Sequence, residues 1–148
     1  MSIRVDFMGN RSFKAKVGTH EIVTDLPLEK GGEDKGPTPS EAFIASIGCC
    51  IGLYVAGYMR TAKLDPEGLS IELDWKFDDK KTRIGKIDIS LRTPHAELGS
   101  RKKAIIAAAE KCTIHGTLHD EPDIKITAVE DATGALSDDW NGDEKCIK

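Results

Sequence analysis

Thr38-Pro39-Ser40-Glu41-Ala42-Phe43-Ile44-Ala45-Ser46-Ile47-Gly48-Cys49-Cys50-Ile51-Gly52-Leu53-Tyr54-Val55-Ala56-Gly57-Tyr58-Met59 reads as a helix start followed by a helix with no polar face. Thr38 is placed to accept from the orphan amide of Glu41, Pro39 supplies the preset φ of a first helical position, and Glu41 can reach back to the amide of Thr38. The eighteen residues from Ala42 to Met59 carry no charge, so the helix is apolar nearly all round and must be enclosed. That length touches the threshold for a membrane span, and Gly48 with Gly52 makes a small-xxx-small pair. No span is expected, because Ser46, the glycines and two tyrosines interrupt the run and the rest of the chain is amphipathic. The glycines instead predict close approach of another helix, which a second copy of the chain could supply.

Upstream, Ile3 to Met8 and Ser12 to Val17 alternate apolar and polar residues around Gly9-Asn10, a dipeptide suited to a tight turn, and Glu21 to Asp25 adds a third short strand. Leu26 to Gly36 has loop chemistry. Downstream, Leu69 to Phe77 and Ile84 to Arg92 alternate as half-covered antiparallel strands do, with a polar tip at Asp78 to Thr82. Leu98 to Cys112 is expected to be one helix capped by Ser100, and Asp123 to Val129 a last strand. The order βββ-α-ββ-α-β implies an α+β fold, antiparallel sheet against segregated helices. Residues 1–130 are expected to form a single domain, and residues 131–148 an acidic, loosely ordered tail.

The 148 residues are 39% hydrophobic and 31% charged, which fits a soluble globular protein. A net charge of -4 leaves no basic field to neutralise phosphates, so no nucleic-acid partner is expected, and Arg101-Lys102-Lys103 reads as a solvated helix face. The N-terminal residues lack the apolar run of a secretory signal, which predicts a cytoplasmic chain. Thiols stay reduced there, so Cys49, Cys50, Cys112 and Cys146 suggest reactive, buried or metal-binding groups before a disulfide framework.

Cys49 and Cys50 sit mid-helix. Three and four residues away, Cys50 meets Ser46, Ile47, Leu53 and Tyr54, a stripe that carries hydroxyls; Cys49 meets Ala45, Ser46, Gly52 and Leu53, a small-residue face suited to tight packing. Cys50 is therefore the candidate to border a pocket, although either thiol could be a plain core residue. Adjacent helical cysteines cannot join to each other. Cys112 is a candidate partner or an ordinary buried helix residue, and Cys146 is assigned no role.

Gly31-Gly32-Glu33-Asp34-Lys35-Gly36-Pro37-Thr38-Pro39-Ser40-Glu41, then Ala45 to Cys50, then Glu110-Lys111-Cys112-Thr113-Ile114-His115-Gly116-Thr117-Leu118 resemble the two cysteine motifs of the OsmC/Ohr family of hydroperoxide reductases. The resemblance spans roughly residues 11 to 130. It implies antiparallel sheets packed on two long central helices in an intertwined homodimer, with the active site at the subunit interface. It further implies that Cys50 is the peroxidatic cysteine and Cys112 the resolving one. Cys50 thiolate would attack the peroxide and become a sulfenic acid, Cys112 would condense with it to a disulfide, and an external dithiol such as a dihydrolipoyl group would reduce that bond, with no bound cofactor. Phe43, Ile47, Leu53 and Tyr54 are expected to line an apolar pocket for an organic hydroperoxide. The family also uses an arginine held by the glutamate of the Pro-Ser-Glu segment, here Arg11 and Glu41. Glu41 precedes Cys50 by nine residues, about 900° of rotation on an ideal helix, so a capping role for Glu41 is equally open. Thr113 stands where many members carry proline, and Cys49 where serine or alanine is common.

Two other functions fit the same residues. Cys112, His115 and His119 are spaced three and four apart and could, with Cys50, make a Cys2His2 metal set, although Gly116 argues against a continuous helix there. A small-molecule-binding protein with thiols that never turn over is the other alternative, since fold does not fix function.

Overall fold

The computed structural model describes residues 2–128, so the expected tail at 131–148 and Cys146 lie outside the described residues. The chain divides into two compact units, one formed by residues up to Ala42 together with those from Asp123, the other by Phe43–Pro122.

In the first unit β1 (Arg4–Phe7), β2 (Phe13–Val17) and β3 (His20–Thr24) form an antiparallel sheet in that order. The Gly9-Asn10 turn has positive φ at both residues, 98° and 50°, as the dipeptide predicts. Phe7 pairs with Phe13 across the strands, their rings 5.4 Å apart. The loop after β3 is gathered by Asp25, which is 1% exposed. Its carboxylate accepts from the amides of Leu26 (2.8 Å), Glu33 (3.1 Å) and Lys35 (3.2 Å). Gly32 passes so close to the Leu26 carbonyl that a Cβ would collide with it, which explains a glycine at that point of the motif. The loop ends in the capping box: the Glu41 carboxylate accepts from the Thr38 amide and hydroxyl, each at 2.8 Å, and the Glu41 amide donates to the Thr38 hydroxyl at 3.3 Å.

From that cap α1 runs over Pro39–Thr61. In the second unit it buries Ile44, Ile47, Ile51, Val55 and Met59, a row at three- and four-residue spacing that forms the core with Ile105 and Cys112. Each of these aliphatic side chains contributes about 1.5–3 kcal/mol by leaving water, so the row fixes which face of α1 is inside. The hairpin of β4 (Ser70–Phe77) and β5 (Ile84–Arg92) presents Ile71, Leu73, Trp75, Ile87 and Leu91 to that row. Gly48 and Gly52 are used differently from the expectation. A Cβ on Gly48 would stand 2.7 Å from Leu73 Cδ1 and one on Gly52 3.1 Å from Ile71 Cδ1, so the glycines admit the sheet and not a second helix. The opposite side of α1 is open, with Leu53 75% exposed. Among the described residues α1 is the one helix long and apolar enough to cross a membrane, with 33% of its apolar window buried.

The expected single helix from Leu98 to Cys112 is two pieces, a 3-10 turn and a short α-helix, and a further helix that the sequence did not predict follows it. Ser100 lies inside a 3-10 turn (Gly99–Arg101) without capping, α2 covers Lys102–Glu110, and α3 covers Thr113–His119. Cys112 turns out of the helical region (φ -56°, ψ 130°) and stands at the N-cap of α3. Helical spacing runs smoothly through this corner, so periodicity could not reveal it. Gly116 does not prevent α3; Thr117 Oγ1 and Asp120 N close its turns onto Thr113 O at 2.9 Å and Gly116 O at 3.0 Å. The last strand is a further correction. Residues 123–128 are not in a strand, and Ile124 and Ile126 are 75% and 90% exposed, because alternation makes a strand only where a neighbouring edge takes its hydrogen bonds. The class is α+β, with small antiparallel sheets and helices.

Candidate active site

The corner at Cys112 brings together two elements distant in sequence. Cys50 is half-buried, one residue before the core residue Ile51, whereas Cys112 is 1% exposed. Both are free thiols, Cys50 packs against the cluster that contains Cys112, and the two are near enough to shift each other's acidity. The backbone amides of Ile114 and Thr113, in the first turn of α3, are near enough to Cys50 to favour its ionised form. Cys49, expected to pack against small residues, is instead exposed on the open side of α1.

The two thiols differ in acidity. Burial pushes Cys50 up, but the Cys112 hydrogen bond and then the Ile114 and Thr113 amides outweigh it, so Cys50 lies below the ordinary thiol range. Burial is the main reason that Cys112 lies above that range, and the bond to Cys50 raises it further because it must give up its donated proton to ionise. Of the two, Cys50 is therefore the thiol that ionises first and Cys112 the one that keeps its proton longer.

Thr113 links the same two elements a second time. Its Oγ1 is 3.0 Å from Tyr54 Oη, and Tyr54 is one helical turn beyond Cys50. The departure from proline at this position also has a chemical consequence: proline has no amide proton to give Cys50. The amides of Thr113 and Ile114 are the functional groups that the residue pattern did not expose. The missing proline was the signal available for them.

Two apolar hollows adjoin these elements. One of about 240 Å³ is lined by Ile51, Ile89, Leu91, Ile106 and Ala109, with Glu110 and His115. The other, about 370 Å³, is lined by Tyr54, Tyr58, Ala104, Ala107, Ala108 and Lys111. Of the four residues expected to line a pocket, Tyr54 lines the second hollow. Ile47 is 1% exposed in the core, while Phe43 (37%) and Leu53 (75%) face outward.

Arg11 and Glu41 both belong to the first unit. Glu41 is engaged in the capping box, and the Thr38 amide and then its hydroxyl hold its carboxyl below the usual range. Arg11 is exposed, its Nε 3.6 Å from where a Cβ of Gly31 would stand. Among the described residues no ion pair joins Arg11 to Glu41. The four residues considered as a metal set separate into a thiol pair and a histidine pair, and among the described residues no group of three or more His, Cys, Asp or Glu side chains is placed to hold an ion.

The OsmC-like protein family matches residues 32–127, a stretch that contains both cysteine motifs. This chain belongs to the OsmC-like family. Solved structures share the fold. An osmotic-stress-induced and detoxification response protein of Psychrobacter arcticus 273-4 has a TM-score of 0.73 at 18% identity, over 81% of this chain and 89% of that one. An organic hydroperoxide resistance protein OsmC of Legionella pneumophila has a TM-score of 0.58 at 17% identity, over 80% and 88%. The organic hydroperoxide resistance protein OhrB of Bacillus subtilis has a TM-score of 0.55 at 18% identity, over 84% and 96%. No curated protein matches the chain.

Proposed function

We propose that this OsmC-like protein is a cysteine-based peroxidase that reduces organic hydroperoxides to alcohols. The observation that carries the reading is the contact of Cys50 and Cys112, in which the half-buried sulfur is the more acidic and the buried one keeps its proton. The Cys50 thiolate attacks the terminal peroxide oxygen, the O–O bond breaks, and the alkoxide leaves and takes a proton to become the alcohol. Cys50 is then a sulfenic acid. Cys112 gives its sulfur to that acid, forming an S–S bond and releasing water. An external dithiol, such as the dihydrolipoyl group of a lipoylated protein, returns the disulfide to two thiols by exchange. Cys50 lines neither apolar hollow, but Tyr54, one turn away, lines the second, and such walls favour a carbon-bearing hydroperoxide over hydrogen peroxide, whose small polar body gains nothing from them.

We further propose that the chain works in the cytoplasm as an intertwined homodimer. The open side of α1, with Leu53 outward, supports a second copy as its cover, as do the exposed Val5 and Phe7 of the first sheet and the unpaired Ile124 and Ile126.

Stopped-flow mixing with cumene hydroperoxide and excess dihydrolipoamide tests the activity. Fast consumption that Cys50→Ser abolishes is expected. Slow consumption, equal in wild type and Cys50→Ser, would leave a small-molecule-binding protein as the better reading.

A further inference from the structure

The histidine pair that falls outside the thiol site has a geometry of its own. His115 and His119 lie four residues apart on α3, with ring centroids 4.8 Å apart and planes at 77°. Their Nε2 atoms face each other at 3.2 Å. The Nδ1 of His115 is 3.2 Å from the Glu110 carbonyl oxygen. A carbonyl can only accept, so this contact places the His115 proton on Nδ1 and leaves a lone pair on Nε2, aimed at the second ring. Metal-bound imidazoles are commonly oriented by such a bond from the other ring nitrogen.

We propose that His115 and His119 form a two-point clip for a divalent transition ion of the zinc–copper class, separate from the thiol pair. Two nitrogens bound at about 2.0–2.1 Å to a tetrahedral ion stand about 3.4 Å apart, so the observed spacing needs only a few tenths of an ångström of adjustment. Neutral imidazole suits zinc, nickel and copper, with Cu²⁺ bound most tightly. No third side chain joins the pair among the described residues, so water fills the remaining positions. In the empty state His119 donates its Nε2 proton to His115; on loading, His119 exchanges to its Nδ1–H tautomer through solvent, and both Nε2 lone pairs bind the ion. The clip does not depend on the peroxidase reading.

The test is a zinc chloride titration of the full chain, selectively ¹⁵N-labelled in histidine, at pH 7.5 with the thiols reduced. The ring nitrogens of His115 and His119 should shift together and saturate with one ion, while those of His20 and His95 stay in place. Thiolates also bind zinc, so calorimetry is run in parallel on wild type, His119→Ala and His119→Gln. Both exposed-site variants should lose one binding event, or weaken it at least about tenfold. Unmoved His115 and His119 resonances at saturating zinc, or unchanged uptake in His119→Gln, would show that the rings only hydrogen-bond each other.

Discussion

Tyr54 Oη and Thr113 Oγ1 are 3.0 Å apart and tie α1 to the first turn of α3, one turn beyond Cys50 and one residue beyond Cys112. The bond fixes the turn whose amides favour the ionised form of Cys50. Tyr54→Phe keeps the ring and removes the tie, which is worth about 0.5–1.5 kcal/mol, or roughly a two- to tenfold change in an equilibrium. The Cys50 thiol should therefore titrate at higher pH. The check is the pH profile of Cys50 alkylation by iodoacetamide, whose midpoint should move upward with the maximal rate unchanged.

Thr113 supplies two groups that can be removed separately. Thr113→Val deletes the hydroxyl and leaves the amide; Thr113→Pro deletes both and remains compatible with a first helical position. Alkylation and peroxidase rates at pH 7 should fall in the order wild type, Thr113→Val, Thr113→Pro. A Thr113→Pro rate equal to that of Thr113→Val would mean that the Thr113 amide does not stabilise the thiolate.

Much of this architecture was legible because it is local. Thr38, Pro39 and Glu41 settle the start of α1 within four residues, and the row Ile44 to Met59 declares one buried face whatever covers it, although the expected enclosure on all sides is not met at Leu53. What packs against a helix is not local. Gly48 and Gly52 signal close approach with equal force for a helix or a strand, and the structure places Leu73 and Ile71 there. The site followed the same division. Cys50 could be separated from Cys49 by its neighbours, but the corner at Cys112 interrupts no periodicity. Backbone amides leave no mark in a list of side chains.

The contact of Gly48 with Leu73 sets a steric limit. Gly48→Leu should force α1 off β4 and lower stability by about 1–3 kcal/mol, read as an earlier urea midpoint with an unchanged slope.

Asp25 should govern the acid side of the stability profile. Burial raises its pKa, but the amides of Leu26, Lys35 and Glu33 outweigh that and hold it below the ordinary value. A carboxyl lowered on folding stabilises above its unfolded pKa, about 3.9, and that contribution is lost as pH falls through the folded value. Wild-type Tm should drop below about pH 4. Asp25→Asn should have a lower Tm at pH 7 and a flatter profile across that window.

Leu53 tests the proposed second copy. Light scattering of the wild type should give twice the chain's mass, and Leu53→Asp, which puts a charge on the open side of α1, should shift the mass toward one chain. A wild type that stays monomeric at high concentration would contradict the intertwined pair.

The redox cycle itself is tested by mass spectrometry after one equivalent of cumene hydroperoxide is added to the reduced protein. Wild type should lose two hydrogens and yield a peptide pair joined through Cys50 and Cys112, while Cys112→Ser should retain one added oxygen on Cys50. Oxidation that spreads to exposed Cys49 while Cys50 and Cys112 remain reduced would contradict the account.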